Sequence, residues 1–334
     1  MIIHNQQEVT TAVLKEVERA PDPRTRELLS ALVRHLHDFA REVRLTEGEF
    51  REACALVAEM GRLTNESHNE VVVMCGSLGL STLVCLLNNG NNGQTETTAN
   101  LLGPFWRPES PLTEDGGSIV RSPTPGEPMF VTATVQDPAG NPIAGAEVDV
   151  WHSSTEGFYE NQDPGQANMN LRGKFITGSD GRIRFRSIRP AGYPIPVEGP
   201  VGRLLRAQGR HNMRPAHVHF LIRKDGFKTH ISQVYSPDDP NIDTDVQFGV
   251  TAALVGNYKR HENEPAPDAG IAAGPDGGPD AGNDGGNDGG NDAAPWYSLD
   301  QTFVMEPGDS SLPRAPITGK ASGERPVLAV LERK

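Results

Sequence analysis

The run from Ala216 to Ile222 is the sequence feature that most restricts the fold. Its β-branched and aromatic apolar residues predict a buried strand. Residues two apart on a strand point to the same face, so His217 and His219 can direct two imidazoles to one point. Pro215 precedes the run, and proline is tolerated at the first residue of a strand. The chain must therefore contain a β-sheet that presents a histidine pair on one face.

Two imidazoles do not identify a metal, because histidine binds zinc, copper, iron and nickel alike. Two of the tyrosines lie in unusual sequence upstream of the histidine pair. Tyr159 ends a segment that begins at Trp151, and Tyr193 stands between Gly192 and Pro194, where the backbone is restricted on the proline side. A phenol has a pKa near ~10, so a strongly Lewis-acidic trivalent ion is needed to hold it as phenolate in neutral solution. From the residues alone, these tyrosines and histidines are either metal ligands or ordinary residues of a sheet and its edge.

Downstream of residue 130 the pattern is that of short strands separated by turns, with Asp180-Gly181 as a hairpin signal. Strands are predicted at 130–135, 146–151, 175–177, 182–186, 216–222, 230–234, 298–305 and 327–331. Short strands in this arrangement indicate a mostly antiparallel β-sandwich. The segment 135–148 is also typical of prealbumin-like sandwich modules without catalytic activity. A non-catalytic binding module is therefore the alternative from another functional class.

The region before the strands predicts helices. Apolar residues recur there at steps of three and four, the period of an amphipathic helix: Leu29, Leu32, Leu36, Phe39 and Val43. The run Thr46 to Glu49 is a capping box that begins a second helix, and a third helix is predicted from near residue 66 to residue 88. The predicted fold class is thus α+β, with a helical part followed by the sandwich.

Composition excludes several classes of partner. The formal net charge of −13 argues against nucleic acid and anionic membranes. No run approaches the ~20 apolar residues that a membrane span requires. The cysteines lack metal-ligand spacing and the N-terminus lacks a signal-peptide pattern, which predicts a cytoplasmic location. Residues 262–294 are acidic and rich in Gly, Asn and Asp, and they predict a flexible inserted loop.

The order of these segments resembles the intradiol ring-cleavage dioxygenases, and most of all their hydroxyquinol 1,2-dioxygenase branch. The resemblance rests on residues 151–159, 190–196 and 209–224, and it extends from about residue 26 to residue 306 except for the acidic insert. It implies an oxidoreductase that cleaves an aromatic 1,2-diol with O2 and inserts both oxygen atoms. It also implies a non-haem Fe(III) ion, Fe(3+), held by Tyr159, Tyr193, His217 and His219.

The resemblance implies further roles for individual residues. Tyr193 is the axial tyrosinate that leaves when the diol binds, with His219 opposite to it. Arg214 stabilises negative charge that builds on the ring, and Gln233 is a hydrogen-bonding group of the pocket. The residues expected to bind the substrate are Cys85, Leu102, Gly103, Pro104, Phe105, Ile195, Pro196 and Arg214.

The predicted substrate is hydroxyquinol or a substituted derivative, because residues 192–200 and 239–250 resemble that branch. Two positions depart from it. Cys85 stands where hydroxyquinol enzymes often carry aspartate, and Gln233 stands where several carry histidine. A catechol or chlorocatechol 1,2-dioxygenase is therefore the alternative within the family. The product in either case is a ring-opened acid of the muconate or maleylacetate type, made during the degradation of aromatic compounds.

The resemblance also predicts the domain organisation. It gives a helical dimerisation and linker domain over residues 1–105 and a β-sandwich catalytic domain over residues 106–334. It implies a homodimer formed through the helices, and it allows a lipid to be bound at that contact.

Overall fold

The computed structural model describes residues 2–66, 68–88, 97–267, 294–317 and 319–333. Most of the insert predicted at 262–294 lies outside the described residues. The chain forms two compact units, residues 1–59 and 60–334. The helices after residue 60 therefore belong to the same unit as the sheets, and the functional division near residue 105 stays a prediction.

Helices precede the sheets: α1 (Gln6–Val17), α2 (Pro23–Glu42), α3 (Glu47–Leu63), α4 (Glu70–Ser77) and α5 (Leu80–Asn88). The capping box before α3 is confirmed, because the Thr46 N–H donates to the Glu49 carboxylate at 2.8 Å and the Glu49 N–H donates to the Thr46 hydroxyl at 3.3 Å. The single helix predicted from near residue 66 to residue 88 is wrong. The chain breaks between α4 and α5 at Gly79, whose φ of 73° is left-handed and ends a helix.

The strands are β1 (Pro128–Gln136), β2 (Glu147–His152), β3 (Arg172–Ile176), β4 (Arg182–Ile188), β5 (Tyr193–Pro194), β6 (Met213–Arg214), β7 (His217–Arg223), β8 (His230–Tyr235), β9 (Asn257–His261) and β10 (Trp296–Val304). They form one sheet in the order β4-β1-β10-β9, a second in the order β3-β2-β7-β8, and a ribbon of β5 and β6. The paired strands are antiparallel except β1 and β10. The predicted α+β fold with a mostly antiparallel sandwich is confirmed.

Further local features differ from the predictions. The strand predicted at 327–331 is wrong, because backbone groups of Ala329 and Leu331 bond to the Asn212 side chain instead of to a neighbouring strand. The short helix α6 (Pro200–Ala207) and the strand β9 were not predicted.

The main core lies between the two large sheets. Val131 on β1, Val150 on β2, Phe220 on β7 and Leu299 on β10 belong to one buried apolar cluster, and each is exposed by 2% or less. Because side chains alternate along a strand, the other face of β7 is left for polar residues. In the described part of the chain no single helix is long and apolar enough to cross a membrane, while α4 and α5, bent by 78°, reach that length and composition only as a pair.

We expect Ile222→Ala in β7 to lower the free energy of unfolding by about 2–5 kcal/mol, because Ile222 is fully buried and its removal leaves a cavity. Ile176→Ala at the end of β3 is the matched control, since that side chain is 50% exposed and should cost less than about 1 kcal/mol. Urea denaturation measures both. Equal losses would contradict the position of the core between the sheets.

Candidate active site

Four side chains named from the sequence meet at one buried point. The Tyr159 hydroxyl lies 3.3 Å from the Tyr193 hydroxyl, 3.4 Å from His217 Nε2 and 3.0 Å from His219 Nε2. The two Nε2 atoms are 3.1 Å apart. Each residue is exposed by 4% or less, so these polar groups face one another and not solvent.

The histidine pair is placed by β7, which lies between β2 and β8. Val218 and Phe220 point into the core, so His217 and His219 share the opposite face. The His217 Nδ1–H donates to the Pro215 carbonyl over 2.7 Å, and a carbonyl can only accept. This bond leaves the lone pair of His217 on Nε2, the atom that faces the tyrosines.

The tyrosines arrive from two other elements. In the β5–β6 ribbon, Tyr193 pairs directly with Arg214. Tyr159 lies on the loop that follows β2, and this loop approaches the ribbon closely at Gly157. A Cβ on Gly157 would lie 2.9 Å from the Tyr193 Cβ, and its φ of 81° also favours glycine. Glycine at this position therefore permits the two phenols to meet.

The donor set fits a metal ion. Two ligand atoms that each lie about 2.0–2.1 Å from an ion are roughly 2.8–3.4 Å apart when the ligand–metal–ligand angle is between a right angle and the tetrahedral angle. The four separations between donor atoms, 3.0–3.4 Å, match this range. In the described ranges no group of three or more His, Cys, Asp or Glu side chains is arranged for a metal, so phenols must complete this set. Two phenolates favour a hard trivalent ion.

Burial keeps all four groups neutral in the absence of a cation. Burial, and then the charge of Arg214, lowers the pKa of His217 to about 3. Burial, and then His217, lowers the pKa of His219 well below its usual range. Burial raises the pKa of both Tyr159 and Tyr193. Neutral imidazoles are the form that binds a metal, and a cation at this point would favour the phenolates.

Arg214 is held by a buried network beside the tyrosines. Its Nε and Nη2 donate to the two carboxylate oxygens of Asp245 at 3.1 and 3.0 Å. Nη2 also donates to Gln233 Oε1 at 2.9 Å and to the Tyr235 hydroxyl at 2.8 Å. Gln233 in turn donates to the Leu101 carbonyl at 2.7 Å. The guanidinium is thereby fixed in one orientation, and Gln233 joins it to the start of the segment 101–105.

A cavity of about 990 Å³ opens onto this centre. Gln233, predicted as a hydrogen-bonding group of the pocket, is not among the lining residues. The residues predicted to bind the substrate all line the cavity: Cys85, Leu102, Gly103, Pro104, Phe105, Ile195, Pro196 and Arg214. Of the four candidate ligands only Tyr193 is among the lining residues. Burial raises the pKa of the Cys85 thiol to about 11, so the thiol is uncharged in neutral solution.

The segment 102–105 packs directly against the candidate ligands. A Cβ on Gly103, whose φ is 74°, would lie 3.1 Å from His219 Cε1. The rings of Phe105 and Tyr159 have centroids 4.5 Å apart. Trp151 stacks on His219 at 4.5 Å with an angle of 9° between the planes. These aromatic contacts limit the directions in which His219 and Tyr159 can turn.

Sequence reasoning missed the partners that hold the site. Asp245 lies in the segment 239–250, which resembles the hydroxyquinol branch, but the resemblance predicts no role for its carboxylate. Tyr235 follows Gln233 by two residues on β8, so the period of a strand could have placed both on one face. The C-terminal residues Arg314 to Ile317 also line the cavity, and no local pattern marks them.

We expect Asp245→Asn to lower the free energy of unfolding by about 3–5 kcal/mol, because the Arg214 charge would stay buried without its carboxylate. Asp243→Asn, an exposed change two residues away, should cost less than about 0.5 kcal/mol. Burial alone would raise the pKa of Asp245, but the charge of Arg214 and the hydrogen bonds from Arg214, Gln247 and Gly249 together outweigh burial and lower the pKa. The stabilisation is therefore complete above the unfolded pKa of about 4 and is lost as the pH falls through the lower folded pKa. Urea denaturation at a series of pH values should show that the free energies of unfolding of the parent and of Asp245→Asn converge only in acid. A difference that stays constant with pH would contradict the ion pair.

The chain matches known proteins along most of its length. A family model described as "Dioxygenase" matches residues 101–273, and one described as "Catechol dioxygenase N terminus" matches residues 22–96. Hydroxyquinol 1,2-dioxygenase from Rhizobium sp. (strain MTP-10005) is 40% identical over 265 residues, which is 78% of this chain and 89% of the relative. 6-Chlorohydroxyquinol 1,2-dioxygenase from Cupriavidus pinatubonensis (strain JMP 134 / LMG 1197) is 39% identical over 258 residues, 77% of this chain and 92% of the relative.

The fold agrees with these matches. The crystal structure of hydroxyquinol 1,2-dioxygenase from Pseudomonas putida DLL-E4 superposes with a TM-score of 0.75 at 34% identity, covering 91% of this chain and 99% of the other. These matches remove the alternative of a non-catalytic sandwich module. The chain is an enzyme that belongs to the intradiol ring-cleavage dioxygenase family and is most like its hydroxyquinol 1,2-dioxygenases.

Proposed function

We propose that the enzyme opens the ring of a hydroxyquinol-type diol with O2, using Fe(III) held by Tyr159, Tyr193, His217 and His219. The observation that carries the proposal is that the Tyr159 hydroxyl lies within 3.4 Å of the Tyr193 hydroxyl and of both imidazole Nε2 atoms, which are 3.1 Å apart. When bound, a ferric ion supplies the Lewis acidity that keeps phenols and diol anionic, and the redox chemistry with O2. Both oxygen atoms enter the product, and the ring opens between the hydroxyl-bearing carbons.

The cavity walls orient the ring. Four apolar residues line the cavity, and apolar walls suit a flat aromatic ring: Leu102, Pro104, Ile195 and Pro196. Tyr193 is the member of the ligand set that an entering diol contacts. As a ligand of the ion, its phenolate oxygen would be the one exchanged for a diol oxygen and would take the proton that the diol releases.

Arg214 stabilises the negative charge that develops on the substrate ring. Arg214 lines the cavity and pairs with Tyr193 across the β5–β6 ribbon, so it lies beside the position proposed for the anionic ring. Its bonds to Asp245 and Gln233 hold it before the substrate arrives, and a preoriented charge stabilises a developing anion without reorganisation. Gln233 is a positioning residue in this scheme, because its amide bonds Arg214 and the Leu101 carbonyl.

The choice of diol depends on Cys85. Similarity to hydroxyquinol enzymes supports 1,2,4-trihydroxybenzene as substrate, and the cavity has room for a third hydroxyl. The uncharged Cys85 thiol is a weak partner for that hydroxyl, and this favours catechol as the second candidate. We propose that hydroxyquinol is preferred over catechol, and that the weak hydrogen bond from the Cys85 thiol keeps the difference in kcat/KM small.

We further propose a homodimer formed by the helical unit, and a cytoplasmic location. No residue of α2 is buried, and Leu32, Leu36 and Phe39 are each more than half exposed, which leaves an apolar face for a second copy. Cys54, Cys75 and Cys85 are free of disulfides in the described structure, which agrees with a reducing compartment. A lipid at the dimer contact stays a prediction.

Kinetics on two diols test the substrate. We expect kcat/KM for 1,2,4-trihydroxybenzene to exceed that for catechol in the parent enzyme. Cys85→Asp should raise this ratio by about tenfold, because a hydrogen bond to a charged group contributes about 1.5–3 kcal/mol. Cys54→Asp introduces the same charge at an exposed position outside the cavity and should leave the ratio unchanged. A parent enzyme that prefers catechol would overturn the substrate proposal.

A further inference from the structure

The residues that follow β10 run back across the catalytic unit and close one side of the cavity. Arg314, Ala315, Pro316 and Ile317 are lining residues. The cavity of about 990 Å³ is at the upper end of the range of about 300–1,000 Å³ for ligand pockets. A benzenediol ring alone would leave much of it empty, so a substituent on the ring could extend toward this wall.

The position of Arg314 is fixed on both sides. Upstream, the Thr229 hydroxyl donates to the Ser311 carbonyl at 2.6 Å and accepts from the Ser311 N–H at 3.0 Å. Downstream, Ile317 is 1% exposed and the Gly319 N–H donates to the Glu66 carbonyl. Pro313 and Pro316 also restrict the backbone around the arginine. An exposed side chain on such a segment keeps its place at the cavity wall without being part of the core.

The charges of the lining are unevenly paired. Among the lining residues that the structure describes, the charged ones are Glu66, Arg214 and Arg314. Arg214 is neutralised by Asp245. Arg314 has no hydrogen bond or ion pair with any described residue, and the Glu66 carboxylate lies near Gly319, further along the segment. A guanidinium without a partner at the wall of an apolar cavity is suited to a ligand carboxylate, which it can bind through two parallel hydrogen bonds.

We propose that Arg314 selects diols whose ring carries a short side chain ending in a carboxylate. This inference rests on the proposed function, since it names the substrate class for the same cavity. The ring lies against Ile195 and Pro196 with its two hydroxyls at the ligand set, and the carboxylate meets Arg314. Glu66 disfavours a second negative charge at the same wall.

The test compares 3-(3,4-dihydroxyphenyl)propanoate with its primary amide, which has the same size and no charge. Calorimetry without O2 should show the parent enzyme binding the acid about fivefold more tightly than the amide, the upper range for an exposed ion pair. Arg314→Gln should abolish the difference, and Arg314→Lys should keep part of it. Glu66→Gln should enlarge the preference for the acid over the amide, and added salt should reduce this preference.

Arg182→Gln is the control, because Arg182 is an exposed arginine on β4 that does not line the cavity. This variant should retain the fivefold preference. Arg182→Gln should also keep kcat/KM for 1,2,4-trihydroxybenzene within about twofold of the parent's value. Failure of the parent to cleave any diol would overturn the proposed function, whereas equal binding of acid and amide by the parent, or a preference that survives in Arg314→Gln, would overturn the role of Arg314.

Discussion

The two faces of β7 are the constraint on which the rest of the structure depends. Val218, Phe220 and Ile222 are fully buried in the core between the sheets, and the same strand carries His217 and His219 on its other face. Hydrogen bonds to β2 and β8 on both sides fix the register. A slip of one residue would exchange the faces, placing imidazoles in the apolar core and removing them from the tyrosines. The core that stabilises the sandwich therefore also aligns two of the candidate ligands.

Buried charges hold the remaining parts of the site. The Arg172 Nε donates to Glu160 at 2.8 Å, next in the chain to Tyr159, and its Nη1 donates to the Phe105 carbonyl at 2.7 Å. Arg107 donates to the same carboxylate at 2.8 Å. This cluster joins the Tyr159 loop to the cavity wall, as Asp245 and Gln233 join Arg214 to it. Removing one member of such a cluster leaves a charge without its partner in a region of low dielectric, so the cost of a substitution is large and the geometry is kept.

Local patterns predicted much of this architecture, and long-range contacts account for the rest. The strand period of residues 216–222 gave the histidine pair, and the family resemblance of the segments around Tyr159 and Tyr193 completed the ligand set. The break between α4 and α5 at Gly79 was not predicted, because the apolar periodicity continues through it. The left-handed backbone of Gly79 ends α4, and periodicity does not reveal it. The strand predicted at 327–331 fails because Asn212, more than a hundred residues away, takes its backbone hydrogen bonds. Arg314 is held at the cavity by long-range contacts of Ser311, Ile317 and Gly319, which no pattern in its own neighbourhood reveals.

The central claim is that two phenols and two imidazoles bind Fe(III) at the base of the cavity. Metal analysis combined with the visible spectrum of the purified enzyme tests it most directly, because phenolate bound to Fe(III) gives a charge-transfer absorption that zinc cannot produce. The account predicts a coloured protein with about one iron per chain, and loss of the colour in Tyr159→Phe at unchanged far-ultraviolet circular dichroism. A colourless protein that retains only zinc after iron is supplied, or a Tyr159→Phe variant with the parent's spectrum, would contradict it.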